Sequence, residues 1–167
     1  MAYNRKDKFF RQAQQEGFAA RSIYKLEAID ERFSLIRSGD YVLDLGCSPG
    51  SWLQYIEQVV GSSGRVVGID LKPVRARLKP TTKIHLGDAF KVPLKTLSPS
   101  GRRFDVVCSD MAPSTTGVRS VDQARSADLV ARTLDICEGL LAPGGHWVAK
   151  GFQGQEIDDL TDRIRTH

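Results

Sequence analysis

Tyr41-Val42-Leu43-Asp44-Leu45-Gly46-Cys47-Ser48-Pro49-Gly50-Ser51-Trp52 is the stretch on which the reading of this chain turns. A short apolar run reaches Leu45, two glycines bracket a turn, and an amphipathic segment starts at Ser51. That is the pattern of a buried strand feeding directly into a helix. Glycine lets a backbone approach a ligand closely because no Cβ intervenes, and the start of a helix offers unpaired N–H groups.

Similar apolar runs recur at Arg65–Asp70, Lys83–Leu86, Phe104–Ser109 and His146–Lys150. Helical periodicity lies between or around them, at Ile23–Phe33, Ser51–Val60, Val121–Leu141 and Gln155–Ile164. Pro143-Gly144-Gly145 reads as a stop and turn before the last strand. Strands that alternate with helices predict an α/β fold: a parallel sheet with helices on both faces, doubly wound by right-handed crossovers. In such sheets ligands sit beyond the carboxyl ends of the strands.

Those ends are acidic. Asp70 closes the second run, Gly87-Asp88 follows the third, and the fourth ends in Ser109-Asp110-Met111-Ala112-Pro113. One acid at a strand end is ordinarily a helix cap or a solvated loop residue; three beside a glycine turn suggest a nucleoside rim. A carboxylate placed as Asp70 is suits the two hydroxyls of a ribose. The Gly46-x-x-x-Gly50 spacing lacks the middle glycine of the dinucleotide pattern G-x-G-x-x-G, and no P-loop is present. An adenosine ligand without phosphates fits better, and S-adenosyl-L-methionine is such a ligand.

The bulk properties set the outer bounds. The 167 residues suit one domain, with a basic segment over about residues 1–20. A hydrophobic fraction of 41% supports a core and 26% charged residues a soluble surface. No apolar run is long enough to cross a bilayer, and the N-terminal stretch has no apolar signal region. Cys47, Cys108 and Cys137 form no C-x-x-C pair and the three histidines are scattered. Neither a disulfide framework nor a metal site is expected, and reduced thiols point to the cytoplasm. The net charge is +4. Residues 1–25 hold six Lys/Arg against Asp7 and Glu16, and Lys72, Arg75, Arg77, Lys79 and Lys83 form a second run with no acid among residues 71–87. Such clusters are either solvated surface or a footprint for nucleic-acid phosphates.

The residues Asp44–Trp52, Ser109–Pro113 and Ala20-Arg21-Ser22-Ile23-Tyr24-Lys25-Leu26, in this order and spacing, resemble the FtsJ/RrmJ ribose 2′-O-methyltransferases. The resemblance runs from about Lys8 to Gly151. It implies a Rossmann-like S-adenosylmethionine-dependent methyltransferase fold, with RNA as substrate. It also implies cofactor contacts from Gly46, Pro49, Gly50, Trp52, Asp70, Asp88 and Asp110. Asp70 would hold the ribose, Asp88 the adenine edge, and Asp110 would lie near the methionine moiety. Core packing is the lesser alternative for Trp52, whereas Trp147 reads as core rather than as a base-stacking platform. The family's catalytic Lys-Asp-Lys-Glu set matches Lys25, Asp110 and Lys150. Its Glu and a closing two-strand hairpin lie further along than this sequence runs; Glu156 does not match. The resemblance thus implies a sheet without the C-terminal hairpin, its fifth strand an edge.

Methyl transfer from a sulfonium needs no metal. It needs alignment of a 2′-oxygen and partial removal of its proton. Lys150 would serve as a neutral base or as a cation stabilising developing oxyanion character. By resemblance the substrate is a uridine of large-subunit ribosomal RNA, and the protein a monomer with no membrane partner. A tRNA-specific enzyme and an inactive RNA-binding relative are the alternatives. A small-molecule methyltransferase is disfavoured by Lys25 and the basic N-terminus.

Overall fold

The computed structural model describes residues 5–165. Its elements run α1 (Arg5–Gln15), α2 (Ile23–Phe33), β1 (Tyr41–Leu45), α3 (Ser51–Val60), β2 (Arg65–Asp70), β3 (Thr82–Leu86), α4 (Leu94–Leu97), β4 (Phe104–Ser109), α5 (Arg119–Leu140), β5 (Leu141–Ala149) and α6 (Gln155–Arg165). The strands form one sheet in the order β3-β2-β1-β4-β5, and every neighbouring pair is parallel. β1 lies at the centre, with the chain wound outward to either side. All five carboxyl ends therefore share one rim.

Side chains alternate across the sheet with period two. Val42, Val66, Val106 and Cys108 pack with Leu53, Ile56 and Val60 of α3 on one face. Leu43, Leu45, Val67, Ile69 and Val107 pack with Ile136, Cys137 and Leu140 of α5 on the other. Strands apolar on both sides are what a doubly covered parallel sheet demands. Asp44 breaks the pattern: it takes the alternation of Val42, on the α3 face, and is buried. Asp30 is also buried, but its carboxylate accepts from the Ile36 N–H and the Tyr55 hydroxyl, both at 2.9 Å, which pins the α2–β1 loop to α3.

The expected α/β architecture is present, with differences at its margins. α1 is a helix where the sequence suggested only a basic segment. Its residues are almost all polar, so periodicity is a weak guide; Ala13, 1% exposed, anchors it. β3 starts one residue earlier than expected, at Thr82. β5 starts at Leu141 rather than His146. Phe104 pairs with Leu141 and Val106 with His146, so Pro143-Gly144-Gly145 bulges within the ladder instead of ending a loop before it. α4 is a single turn that carries Leu97 into the core. Among the described residues no strand follows β5, which pairs with β4 alone.

Candidate active site

The turn after β1 is tied to the end of β2. Gly46 N–H donates to the Ile69 carbonyl at 2.9 Å, and Ser48 N–H donates to Asp70 Oδ2 at 2.8 Å. The other Asp70 oxygen accepts from Lys72 N–H at 2.8 Å. Asp70 thus shapes two turns, while each oxygen has capacity to accept a further hydrogen bond. Gly46 has φ +80°, and a Cβ there would lie 2.5 Å from Met111 Cγ. The glycine lets the β4 loop close over the β1 turn. Gly50, at φ +113°, admits Val74 and Ala76, whose side chains would lie 2.8 and 2.5 Å from a Cβ. The Pro49 carbonyl accepts from Arg75 and Ala76 N–H, each at 3.1 Å.

A cavity of about 330 Å³ opens over this rim, lined by Gly46, Asp70, Asp88, Asp110 and Met111 among others. That size is within the range of small-ligand sites. The cavity brings together the three acids predicted from strand ends and one of the two glycines. Leu71 and Phe90, 71% and 47% exposed, also line it and give apolar walls suited to a flat purine. Each lies one or two residues after an acid that the sequence singled out, but exposed apolar residues carry no periodic signal. Asp88 Oδ1 accepts from Phe90 N–H at 2.9 Å, which sets the second wall against the carboxylate.

Gly50, Pro49 and Trp52 do not line the cavity. Trp52 is 5% exposed, packs in the α3-side core and donates its indole N–H to the Ser22 carbonyl at 2.8 Å. Its indole is directed to α2 rather than into the cavity, which supports a packing role beside the cofactor contact that the resemblance implies. Trp52→Phe is expected to cost about 1 kcal/mol of stability through the lost hydrogen bond and to leave cofactor affinity unchanged. Thermal melts and calorimetric titration check both; a marked loss of affinity at unchanged stability would contradict the packing role.

Lys150 follows β5, and its N–H continues the ladder to the Ser109 carbonyl at 2.9 Å. This register sets it opposite Asp110. Lys150 Nζ donates to Asp110 Oδ1 at 2.6 Å and to the Asp110 carbonyl at 2.9 Å. Lys25 on α2 brings Nζ within 3.9 Å of the same carboxylate oxygen, its side chain 60% exposed. An ammonium has three donors. Asp110 engages two of those on Lys150 and leaves one free.

Asp44 is the residue sequence reasoning quoted without assigning a role. Both of its carboxylate oxygens are buried without a hydrogen-bond partner among the described residues. Burial, then the charges of Asp110 and Asp70, push its carboxyl well above the ordinary range. The only signal was its phase: one residue before Leu45, in register with Gly68 and Cys108, an acid must point into the sheet's interior face.

An acid-lined cleft at the carboxyl ends of a parallel sheet suits a cationic adenosine. The fold and this cleft define the class of Rossmann-like methyltransferases that use S-adenosylmethionine. Residues 18–167 match the FtsJ-like methyltransferase family, and the chain belongs to that family. A protein of Desulfatibacillum aliphaticivorans named ribosomal RNA large subunit methyltransferase E is 49% identical over 97% of this chain and 78% of its own length. One of the same name from Bdellovibrio bacteriovorus is 45% identical over 99% and 85%. Among solved structures, a ribosomal RNA methyltransferase from Plasmodium falciparum superposes with a TM-score of 0.80 at 24% identity, over 89% of this chain and 86% of that one. Fibrillarin from Aeropyrum pernix, with natively bound S-adenosyl-L-methionine, superposes at 0.56 and 20% identity, over 77% and 58%. These two support the fold.

Proposed function

We propose that the protein methylates a ribose 2′-hydroxyl of large-subunit ribosomal RNA, working as one methyltransferase domain and as a monomer in the cytoplasm. The names of its relatives support the substrate. The observation that carries the chemistry is the amine of Lys150, fixed by two contacts to Asp110 at the edge of the cofactor cleft. The cofactor, when bound, supplies an electrophilic methyl on a sulfonium. Gly46, Asp70, Asp88 and Asp110 would hold it, with Leu71 and Phe90 against its purine.

The chain's own residues have two tasks. The first is positioning, which accounts for as much as about 7–11 kcal/mol of barrier in favourable cases. The free donor of Lys150 points a hydrogen bond at the 2′-oxygen, and Lys25 holds the strand nearby. The second is charge. As the oxygen attacks, negative character develops on it, and a fixed ammonium stabilises that character without reorganisation. The hydroxyl proton leaves to solvent or along the Lys150–Asp110 pair. Exposed Lys72, Arg75, Arg77 and Lys83 would hold phosphates along the approach; Lys79 is partly committed, since its Nζ donates to the Glu57 carbonyl at 3.0 Å.

The test uses labelled cofactor with large ribosomal subunits from cells that lack the modification. The label is expected on one ribose of the large-subunit RNA. Label in transfer RNA instead would replace the substrate, and absence of transfer to any RNA would overturn the catalytic reading.

A further inference from the structure

A second cavity lies outside the cofactor cleft, where α1 meets α2. It measures about 400 Å³ and is lined by Phe9, Arg21, Ser22, Tyr24 and Lys25. Phe9 and Tyr24 face each other with ring centroids 5.5 Å apart and planes at 45°, leaving an open wedge rather than a closed stack. The Tyr24 hydroxyl donates to Glu16 at 2.8 Å, which anchors that ring from behind. The floor is equally fixed: the Ser22 carbonyl accepts from Trp52 and the Ser22 hydroxyl pairs with Ser51 at 2.9 Å.

The lining carries two cations and no acid. Arg21 is exposed and has no ion-pair partner among the described residues. Lys25 reaches from this corner to the catalytic Asp110. Phe9 is 42% exposed, so part of its ring is open to solvent at this corner. Rings with open faces beside unpaired guanidinium and ammonium groups match one chemistry well. A nucleobase presents a π-face to the rings, and its phosphate presents charge to the cations.

We propose that this α1–α2 corner is a stacking pocket for an unpaired nucleobase that neighbours the methylated ribose in the RNA strand. The proposal rests on the RNA methyltransferase reading above and adds to it a specific subsite. It gives Lys25 a second task, as the bridge between the reacting nucleotide and the stacked one. It also restricts the substrate to RNA that is single-stranded beside the target, because a base within a duplex offers no free face.

The probe is a short uridine oligonucleotide carrying one 2-aminopurine, whose fluorescence is quenched when the base stacks. Wild-type protein is expected to quench it on binding. Phe9→Leu keeps apolar bulk but removes the ring; it is expected to lose the quenching and to weaken RNA affinity on the order of tenfold. Its cofactor affinity and the dependence of RNA binding on salt should stay unchanged. Phe9→Trp should restore quenching and affinity. Arg21→Gln should keep the quenching but lower the slope of log affinity against log salt by about 0.7, the loss of one phosphate contact to a single strand. If Phe9→Leu is too unstable to measure, Phe9→Trp and Arg21→Gln carry the test, and an unaltered salt slope in Arg21→Gln overturns the proposal. A folded Phe9→Leu protein with wild-type quenching and affinity overturns it as well, while wild-type methyl transfer to RNA leaves the broader reading standing. Failure of the wild type to transfer methyl to any RNA sinks that reading, and the pocket falls with it.

Discussion

Lys150→Ala is expected to lower kcat by at least about 100-fold, the lower range for a well-placed proton-transfer or charge-stabilising group. Cofactor affinity should change less than about threefold, because Lys150 does not line the cofactor cavity. The argument is geometric. Two of the three ammonium donors are held by Asp110, at 2.6 and 2.9 Å, so the third has a fixed direction. Removing the amine removes that direction and the charge together. Lys25→Ala should cost much less at the chemical step, since its amine is 3.9 Å from the carboxylate on a 60% exposed side chain that solvent screens. Its loss should fall chiefly on the KM for RNA. Single-turnover rates with saturating RNA, set beside cofactor titrations, separate the effects. A Lys150→Ala enzyme within about tenfold of wild-type turnover would remove Lys150 from the mechanism.

The parts of this site that were legible in the sequence are those set by chain adjacency. Asp70 closes β2, Asp88 and Asp110 come just after β3 and β4, and parallel strands in one sheet end on one rim, so three positions apart in sequence had to meet. Lys150 and Asp110 follow neighbouring strands and meet for the same reason. The parts that were not legible depend on which way a helix face or loop turns. Trp52 begins α3 beside the glycine turn, yet its ring goes to α2 because Ser22 offers a carbonyl there. Gly50 is required by Val74 and Ala76, from a loop that no periodicity foretells. Phe9 belongs to a helix whose apolar positions are too few to announce it. Asp44 was in plain view within the decisive stretch, but a strand acid among valines and leucines reads as motif until its burial is known.

Asp44→Asn is expected to make the cofactor-free protein more stable at neutral pH and to weaken its hold on the cofactor. In the folded chain burial raises the Asp44 carboxyl well above its ordinary value of 3.8, with Asp110 and Asp70 adding to the shift. Between 3.8 and that higher folded value the native state holds a proton that the unfolded chain has released. Stability from this group is therefore fully present below the unfolded value and is lost as pH rises through the folded one. Asparagine cannot ionise, so the variant loses this decline. The gap in its favour should grow with pH from about 4, by at most about 1.4 kcal/mol per pH unit until the folded value is reached, and each kcal/mol raises Tm by about 2–4 °C for a chain of this size. The cofactor reverses the preference. A bound cationic cofactor would bring positive charge to Asp70 and Asp110, whose own charges help to raise the Asp44 carboxyl, so wild-type affinity should rise with pH across the same window. The variant should bind on the order of tenfold more weakly at neutral pH, with a flat profile. Thermal melts and calorimetric titrations of both proteins from pH 4 to 8 provide the check. A Tm difference that does not vary with pH would show that Asp44 carries no titrating charge in the fold, and equal cofactor affinities would show that the cation does not draw on it.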